Sequence, residues 1–406
     1  MDSSLRPIAE HELDAFALVP AYGFGDRMPL DEHRDWGSHD LDRTVAAFVD
    51  GEIVSTGRNY SLEMTVPGGA TVAAGGVSWI TTRPTHRRRG LLTEVMTHLI
   101  QDSRDRGEPV SILTASEGGI YGRFGYGVAA RMATVAIDPP ATITRATADA
   151  GTLRFVEADE AATLGEDLFE RMRHARVGAV SRPAPWWVDE WAPQDWVDAR
   201  RRFDVVYEAD GRVQGYALYS VAGEWPHGIS QQVVTVRDLV ASTPNAEAAL
   251  WSFLLSLDLI AGVRMPHAPL DSPVPWMLDD HRQFRTESVR DGLWLRPIDT
   301  ARLLAGRTYG APGELVVSVV DPFLHLEESE GVFRLLVDGD VVTCDRTDRD
   351  ADLSMTVDAL GAILLGGVAP GVLARAGRLT STDAHVLTVA DAMFRAEHQP
   401  FPFTWF

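Results

Sequence analysis

The sequence has little cysteine, no long apolar run and no apolar leader segment. Its one cysteine, Cys344, excludes an internal disulfide, and no CxxC or clustered Cys/His metal signature is present. The first residues lack the apolar region of a secretory signal. The most apolar stretch, 360–373, is too short for a bilayer span and is interrupted by Gly366, Gly367 and Pro370. We therefore expect a cytoplasmic protein with no metal and no membrane span.

Basic residues are also scarce relative to acidic ones. The chain has 37 Lys and Arg against 58 Asp and Glu, which gives a net charge of −21. A field of that sign repels nucleic acid and attracts cationic partners. The 45% hydrophobic and 23% charged residues are ordinary for a globular protein. At roughly 150 residues per domain, the 406 residues predict two or three domains.

Two parts of the sequence repeat one order of elements. Strand-rich runs flank an Asp-Gly pair at 50–51 and another at 210–211, and this dipeptide is typical of β-hairpins. A strand, a proline (Pro84 or Pro244) and an amphipathic helix follow each hairpin. Both features recur at one offset (211 − 51 = 160 and 244 − 84 = 160). The pattern favours two copies of one unit over coincidence. The predicted helices are 91–100 and 248–260.

The last part of the sequence has a different order. A hairpin is predicted at 332–344, followed by a strand that runs into an apolar helix from Asp352, and a further helix at 381–394. The polar run after Asp138 and the segment 291–297 mark the predicted boundaries of the three parts.

A basic turn lies between the predicted strand at 71–82 and the helix at 91–100. It contains Arg87, Arg88, Arg89 and Gly90, a local reversal of sign in an acidic chain. The first amides of a helix have no acceptor and attract anions, and a glycine lets a diphosphate approach the backbone. The alternative is a solvated basic corner. The strand and the helix around the turn favour a phosphate site.

Two motifs carry a resemblance to a known family. The segments 84–92 (PTHRRRGLL) and 116–127 (SEGGIYGRFGYG) resemble the Eis acetyltransferases, within the GCN5-related N-acetyltransferases. The resemblance spans essentially the whole chain. It implies an α/β (α+β) fold with two tandem acetyltransferase-type domains, 1–148 and 149–290, and a sterol-carrier-like α+β domain, 291–406.

The resemblance also implies acetyl-CoA as the cosubstrate and assigns its site. The second copy has Ser242–Glu247 where the first has its arginines, so we predict one coenzyme site per chain, in the first domain. The predicted coenzyme residues are Ile80, Thr81, Thr82, Arg87, Arg88, Arg89, Gly90, Leu91, Leu92, Thr93, Ser116 and Glu117.

Acyl transfer from a thioester to an amine needs an acid for the thiolate and a base for the amine. Tyr126, between two glycines where a ligand could approach closely, is the predicted acid, a role that the resemblance supports. Tyr121 is its local competitor. Four aromatic residues in the last six predict a docked chain end. The resemblance assigns the base role to the terminal carboxylate of Phe406. The alternative for the tail is packing alone.

The acceptor site is predicted from residues that mix aromatic and acidic side chains. Phe24, Asp26 and Trp36 match positions that line the acceptor cleft in Eis relatives. The resemblance implies N-acetylation of aminoglycosides at several amines, and a homohexamer. Two other functions stay open: acetylation of protein lysines or N-termini, and lipid transport by the C-terminal domain.

Overall fold

The structure is a computed structural model that describes residues 3–25, 40–143, 151–187 and 202–406. The chain forms two compact units. The first unit contains Met1–Ala130, Gly292–Glu397 and Trp405–Phe406, and the second contains Arg131–Asp291 and His398–Thr404. Among the described helices, none has the length and apolar character that crossing a bilayer requires.

The strands are numbered in chain order. They are β1 Ser3–Pro7, β2 Thr44–Val49, β3 Glu52–Thr65, β4 Thr71–Thr82, β5 Val110–Leu113, β6 Gly127–Ile137, β7 Thr152–Val156, β8 Arg202–Ala209, β9 Arg212–Ala222, β10 Gln232–Ala241, β11 Ile260–Ala268, β12 Phe284–Pro297, β13 Gly313–Val320, β14 Gly331–Asp338, β15 Val341–Arg346, β16 Leu353–Thr356 and β17 Leu379–Ser381.

The α-helices of the described residues are numbered in the same way. They are α1 Leu13–Phe24, α2 Leu91–Asp105, α3 Ala158–Arg173, α4 Pro244–Ser256, α5 Val274–Met277, α6 Thr300–Ala305, α7 Val357–Leu364, α8 Pro370–Arg375 and α9 Ala384–Phe394.

The first unit contains a mixed sheet in the order β1-β2-β3-β4-β5-β12. The predicted hairpin joins β2 and β3, and Asp50 and Gly51 both have positive φ (51° and 83°), as a type I′ hairpin turn requires. Helix α2 buries its apolar face against this sheet, through Val95, Met96 and Leu99.

Strands β4 and β5 run parallel and then part. Their pairing runs from Ala74 opposite Val110 to Val77 opposite Leu113 and ends there. Two residues later, Trp79 has a φ of +58°, and the register between β3 and β4 shifts at that point, which identifies a β-bulge. Beyond Val77, β4 has no pairing with β5, and strand β5 itself ends at Leu113.

The C-terminal part of the first unit has a second sheet, in the order β15-β14-β13-β16-β17. The predicted hairpin forms β14 and β15, and the predicted strand-to-helix segment forms β16 and α7. Every residue of α7 is buried. A Cβ on Gly361 of this helix would collide with the carbonyl oxygen of Leu295 on β12, so the two backbones lie in close contact.

The second unit repeats the arrangement of the first. Its strands follow the order β6-β11-β10-β9-β8-β7, and β10 and β11 form the parallel pair. The turn at 210–211 again has positive φ at both residues. The repeat predicted from the sequence is therefore present in the fold.

The predicted helix at 248–260 is wrong at both ends. Helix α4 begins at Pro244, because the Thr243 hydroxyl accepts a hydrogen bond from the amide of Ala246 (3.1 Å) and proline suits the first helical position. It ends at Ser256, and Leu259 has a positive φ of 62°. Strand β11 then begins at Ile260, where the prediction had continued the helix.

The equal spacing of the two prolines does not align the two helices. Pro84 opens a short 3₁₀ turn, Pro84–His86, whereas Pro244 is the first residue of α4. Helix α2 begins only at Leu91, so the two helices start 153 residues apart (244 − 91 = 153). The first copy has the arginine turn where the second has none.

A fully buried ion pair joins the two sheets of the first unit. Arg296 on β12 donates from Nη2 to Asp321 Oδ2 (2.5 Å) and from Nη1 to the carbonyl oxygen of Phe124 (2.7 Å), and both charged side chains are 0% exposed. Burial alone would raise the pKa of Asp321, but the Arg296 charge and hydrogen bond and the amides of Phe323 and Leu324 outweigh it and lower the pKa.

We expect the Asp321→Ala variant to lose about 3–5 kcal/mol of unfolding free energy at pH 7, because the Arg296 charge is left buried without its partner. Glu328→Ala is the matched control, since its pair with Arg104 (2.7 Å) is 40% exposed on each side and should contribute at most about 1 kcal/mol. Urea unfolding measures both. A loss in Asp321→Ala no larger than in Glu328→Ala would contradict the prediction.

Because the pKa of Asp321 is lowered in the fold, its contribution to stability is present above its unfolded pKa of ~3.9. It is lost as the pH falls through the lower, folded value. The stability difference between wild type and Asp321→Ala should therefore shrink in strong acid.

Candidate active site

A cavity of about 630 Å³ lies in the first unit, between the end of β4, the basic turn and the segment after β5. All of the predicted coenzyme residues line it, from Ile80–Thr82 through Arg87–Thr93 to Ser116 and Glu117. The other lining residues are Gly23, Phe24, His86, Ile120, Tyr121 and Arg123. The structure thus brings three separate parts of the sequence together around one space.

The basic turn ends at the N-terminus of α2. Gly90 is the N-cap with a φ of +85°, and no side chain caps the helix. Arg88 also has a positive φ, of 64°. A Cβ on Gly90 would meet no atom within 4 Å, so the space beside the start of the helix is open. These uncapped amides and three arginines fit a diphosphate.

The corresponding helix of the second unit offers no such site. The Thr243 side chain occupies the amide of Ala246, and Pro244 has no N–H to offer. One coenzyme site per chain stays a prediction.

Tyr126 is 1% exposed and does not line the cavity. Its hydroxyl lies 2.7 Å from Ser111 Oγ, and Ser111 in turn donates to the carbonyl oxygen of Gly75 (3.3 Å). Either hydroxyl can donate in the pair of Tyr126 and Ser111. Burial raises the pKa of Tyr126 well above its ordinary ~10, more than the Ser111 hydrogen bond and the Arg296 charge lower it. The phenol is protonated throughout the physiological range.

Tyr121, the competitor, does line the cavity. Its ring packs edge-on against Tyr126, with centroids 6.3 Å apart. Burial, and to a lesser extent the charge of Glu117, raises the pKa of Tyr121 to about 12. The two phenols form one contiguous pair, with Tyr121 on the cavity side.

Gly125 and Gly127, on either side of Tyr126, have a packing role and do not provide the ligand approach inferred from the sequence. A Cβ on Gly125 (φ +84°) would collide with the Arg296 guanidinium, and one on Gly127 would collide with the backbone oxygen of Asp358 in α7. The expectation that they admit a ligand is wrong. The absence of a side chain at these two positions leaves room for Arg296 and for helix α7. These two groups fix the segment that carries Tyr126.

Phe406 lies beside the parting strands of the first unit. The Thr114 hydroxyl, one residue beyond β5, donates to the main-chain oxygen of Phe406 (2.5 Å). The phenyl ring covers Gly76 of β4, where a Cβ would lie 3.2 Å from a ring carbon, and meets the Tyr60 ring edge-on at 6.4 Å. A side chain at position 76 would collide with Leu62 Cδ1 (2.5 Å) before it pressed on the ring.

The preceding residues of the tail are held within the second unit. The Phe401 amide donates to the Val177 carbonyl oxygen (2.9 Å), and the Val180 amide donates to that of Pro402 (3.0 Å). The Thr404 hydroxyl donates to the Val180 carbonyl oxygen (2.8 Å). The prediction of a docked chain end is confirmed.

Of the three predicted acceptor residues, the structure places Phe24, at the C-terminus of α1 and 61% exposed. Asp26 and Trp36 lie outside the described residues. Phe24 is thus an exposed aromatic side chain on the rim of the cavity.

Ser111 and Thr114 were missed by the sequence analysis. Both are hydroxyl residues in or next to the short apolar strand β5, and a buried hydroxyl in such a strand is the available signal. In the part of the chain that is described, no group of three or more His, Cys, Asp or Glu side chains could hold a metal ion.

Comparison with known proteins assigns each part of the chain to a domain family. Residues 4–129 and residues 178–302 each match an acetyltransferase (GNAT) domain, and residues 300–402 match a sterol carrier protein domain. The fold therefore has two tandem acetyltransferase domains followed by a sterol-carrier-like domain, as predicted.

Similar proteins cover nearly the whole chain. An uncharacterized N-acetyltransferase of Streptomyces avermitilis is 36% identical over 98% of both chains. The N-acetyltransferase Eis of Mycobacterium tuberculosis is 34% identical over 85% of this chain and 84% of its own. The crystal structure of Eis1 from Mycobacterium abscessus superposes with a TM-score of 0.86 at 33% identity, over 99% of this chain and 100% of that one.

The chain contains two acetyltransferase domains, and the first has an open basic turn at Gly90 that can bind an anion. These features define an N-acetyltransferase of the GCN5-related superfamily. The superfamily uses acetyl-CoA generally. Within it, the chain belongs to the Eis family, as the identity and coverage of its relatives show.

We expect Gly90→Ala to raise the KM for acetyl-CoA about tenfold, as for a lost hydrogen bond to a charged group of ~1.5 kcal/mol. The methyl group would enter the open space beside the start of α2. Gly51→Ala is the matched control, since Gly51 has nearly the same φ (83°) and equally open surroundings in a hairpin turn. Steady-state kinetics and thermal unfolding compare the two variants. Equal KM values in both would contradict a diphosphate site at this turn.

Proposed function

We propose that the protein transfers the acetyl group of acetyl-CoA to amines of polycationic small molecules such as aminoglycosides, at several positions. The observation that carries the proposal is the cavity of about 630 Å³ that joins the cationic turn to an exposed aromatic rim. The acceptor class follows from the family resemblance and from the net charge of −21. A homohexamer in the cytoplasm remains a prediction.

The fit of the coenzyme rests on charge and on main-chain geometry. Arg87, Arg88 and Arg89 supply positive charge at the cavity wall, and the uncapped N-terminus of α2 supplies amide donors for the diphosphate. Beyond Val77 and Leu113, β4 does not pair with β5. The Thr81 carbonyl oxygen accepts from Ser55 Oγ (2.9 Å), and the other backbone groups of Ile80–Thr82 are available for the pantetheine amides.

In the reaction the amine nitrogen attacks the thioester carbonyl carbon, the C–S bond breaks, and the amine loses a proton while the thiolate gains one. We assign the donor role to Tyr126, whose raised pKa keeps its proton available at neutral pH. The Ser111 hydroxyl orients that phenol and can return a proton to it. Tyr121 on the cavity wall is the alternative donor.

We assign the base role to the main-chain carboxylate of Phe406. Thr114 holds this group by a 2.5 Å hydrogen bond, directly beyond the strand that carries Ser111. Because Thr114 and Ser111 are three residues apart, one strand end orients the proposed donor and the proposed acceptor of protons. A carboxylate at this position can take the amine proton directly or through water.

The lipid-carrier alternative receives no support from α7, the apolar helix of the C-terminal domain. Every residue of α7 is buried, and its backbone lies against Leu295 and Gly127 of the acetyltransferase part of the first unit. The helix therefore works as internal packing that braces the segment of Tyr126.

A thiol-release assay with acetyl-CoA tests the acceptor class. We expect turnover with aminoglycosides and polyamines, with more than one acetyl group added per aminoglycoside by mass spectrometry, and little turnover with lysine peptides. High kcat/KM for lysine peptides and none for aminoglycosides would assign the enzyme to protein acetylation instead. Copurified lipid, detected by mass spectrometry, would favour the carrier.

A further inference from the structure

The second unit contains a cavity of about 270 Å³, near the lower end of the roughly 300–1,000 Å³ typical of small-ligand pockets. It lies beside the end of β10 and the first turns of α4, in the position that the coenzyme cavity occupies relative to β4 and α2 in the first unit. Its apolar wall is formed by Met172, Trp251, Met265, Phe401 and Phe403.

One acidic side chain on this wall lacks a partner. Glu247, in the first turn of α4, is half-buried, and within the described residues its carboxylate makes no hydrogen bond or ion pair. Burial raises its pKa to about 7, the Arg176 charge opposes that rise, and Asp271 adds to it. An unpaired carboxylate in a largely apolar cavity is costly, which points to a ligand that would compensate it.

The other charges around the cavity compensate one another. Arg176 and Asp271 form a mostly buried ion pair, and Asp271 also accepts a hydrogen bond from the Gln399 amide (3.0 Å). His398 lies 3.8 Å from Asp271. With Arg176 and Asp271 paired, ionised Glu247 leaves the cavity with one net negative charge when His398 is neutral.

We propose that this cavity binds a small primary ammonium ion with an apolar body, its charge against Glu247 and its body against Trp251, Phe401 and Phe403. A monocation neutralises the one uncompensated charge, and aromatic faces favour cations within about 6 Å of the ring centroid. This cavity lies in the second unit and uses none of the coenzyme residues, so the proposal does not rest on the proposed function.

Binding changes the protonation of the site. If Glu247 is protonated before binding, the ammonium ion displaces that proton, and each binding event releases one proton to solvent. Affinity should therefore rise with pH, about tenfold from pH 6 to pH 8 for a group with a pKa of about 7. Arg176, Asp271 and His398 are the other charged or titratable groups on the cavity wall.

The experiment is a titration of the full chain, labelled with ¹³C-methyl methionine, with benzylammonium chloride and with neutral benzyl alcohol. Met172 and Met265 line the cavity and report on it directly, whatever binds elsewhere. Glu247→Gln is the test variant, and Glu224→Gln, at an exposed glutamate, is the matched control. Thermal unfolding establishes that both variants are folded.

We expect benzylammonium to shift both methionine signals saturably in wild type and in Glu224→Gln, about tenfold more tightly at pH 8 than at pH 6. Glu247→Gln should weaken binding about tenfold or more and abolish the pH dependence. No shift of either signal at millimolar benzylammonium would overturn the proposal. Equal binding of benzyl alcohol, or unchanged binding in Glu247→Gln, would show an apolar cavity without an ammonium site. If Glu247→Gln does not fold, the pH dependence in wild type decides.

Discussion

The parting of β4 from β5 is the constraint on which the rest of the active site depends. Parallel pairing ends at Val77 and Leu113, and a bulge follows in β4 at Trp79. Unpaired strand ends expose backbone groups that need partners. In the first unit, the coenzyme cavity lies beyond the end of β4, and the main-chain oxygen of Phe406 is bound just beyond the end of β5.

The two acetyltransferase copies show how one fold gains or loses a binding site by a few residues. Each copy has a hairpin, a parallel pair and a helix after the pair. In the first copy the helix begins with an uncapped glycine behind three arginines, and in the second it begins with Thr243 and Pro244, which leave fewer amides free. The cavity beside the second helix remains, but the residue that faces it is Glu247, an anion. The fold supplies the space, and the helix start decides the charge of the ligand.

Much of this architecture could be predicted from local sequence, because hairpin turns and helix periodicity depend on neighbouring residues. The Asp-Gly turns and the arginine turn are examples. The start of α4 was misjudged because Pro84 and Pro244 have different roles in similar surroundings. The requirement for glycine at position 125 could not be predicted, because it comes from contact with Arg296, which is far away in the sequence. The same holds for the hydrogen bond of Thr114 to Phe406, which spans 292 positions.

The most direct test of the account is the activity of a chain extended beyond Phe406 by a few glycine and serine residues. The extension replaces the carboxylate at the Thr114 hydroxyl by a neutral peptide group. It leaves the basic turn at Gly90 intact. The account predicts that acetyl transfer is abolished while the dissociation constant for coenzyme A, measured by calorimetry, stays within about twofold. Full transfer activity in the extended chain would show that another group accepts the proton of the amine.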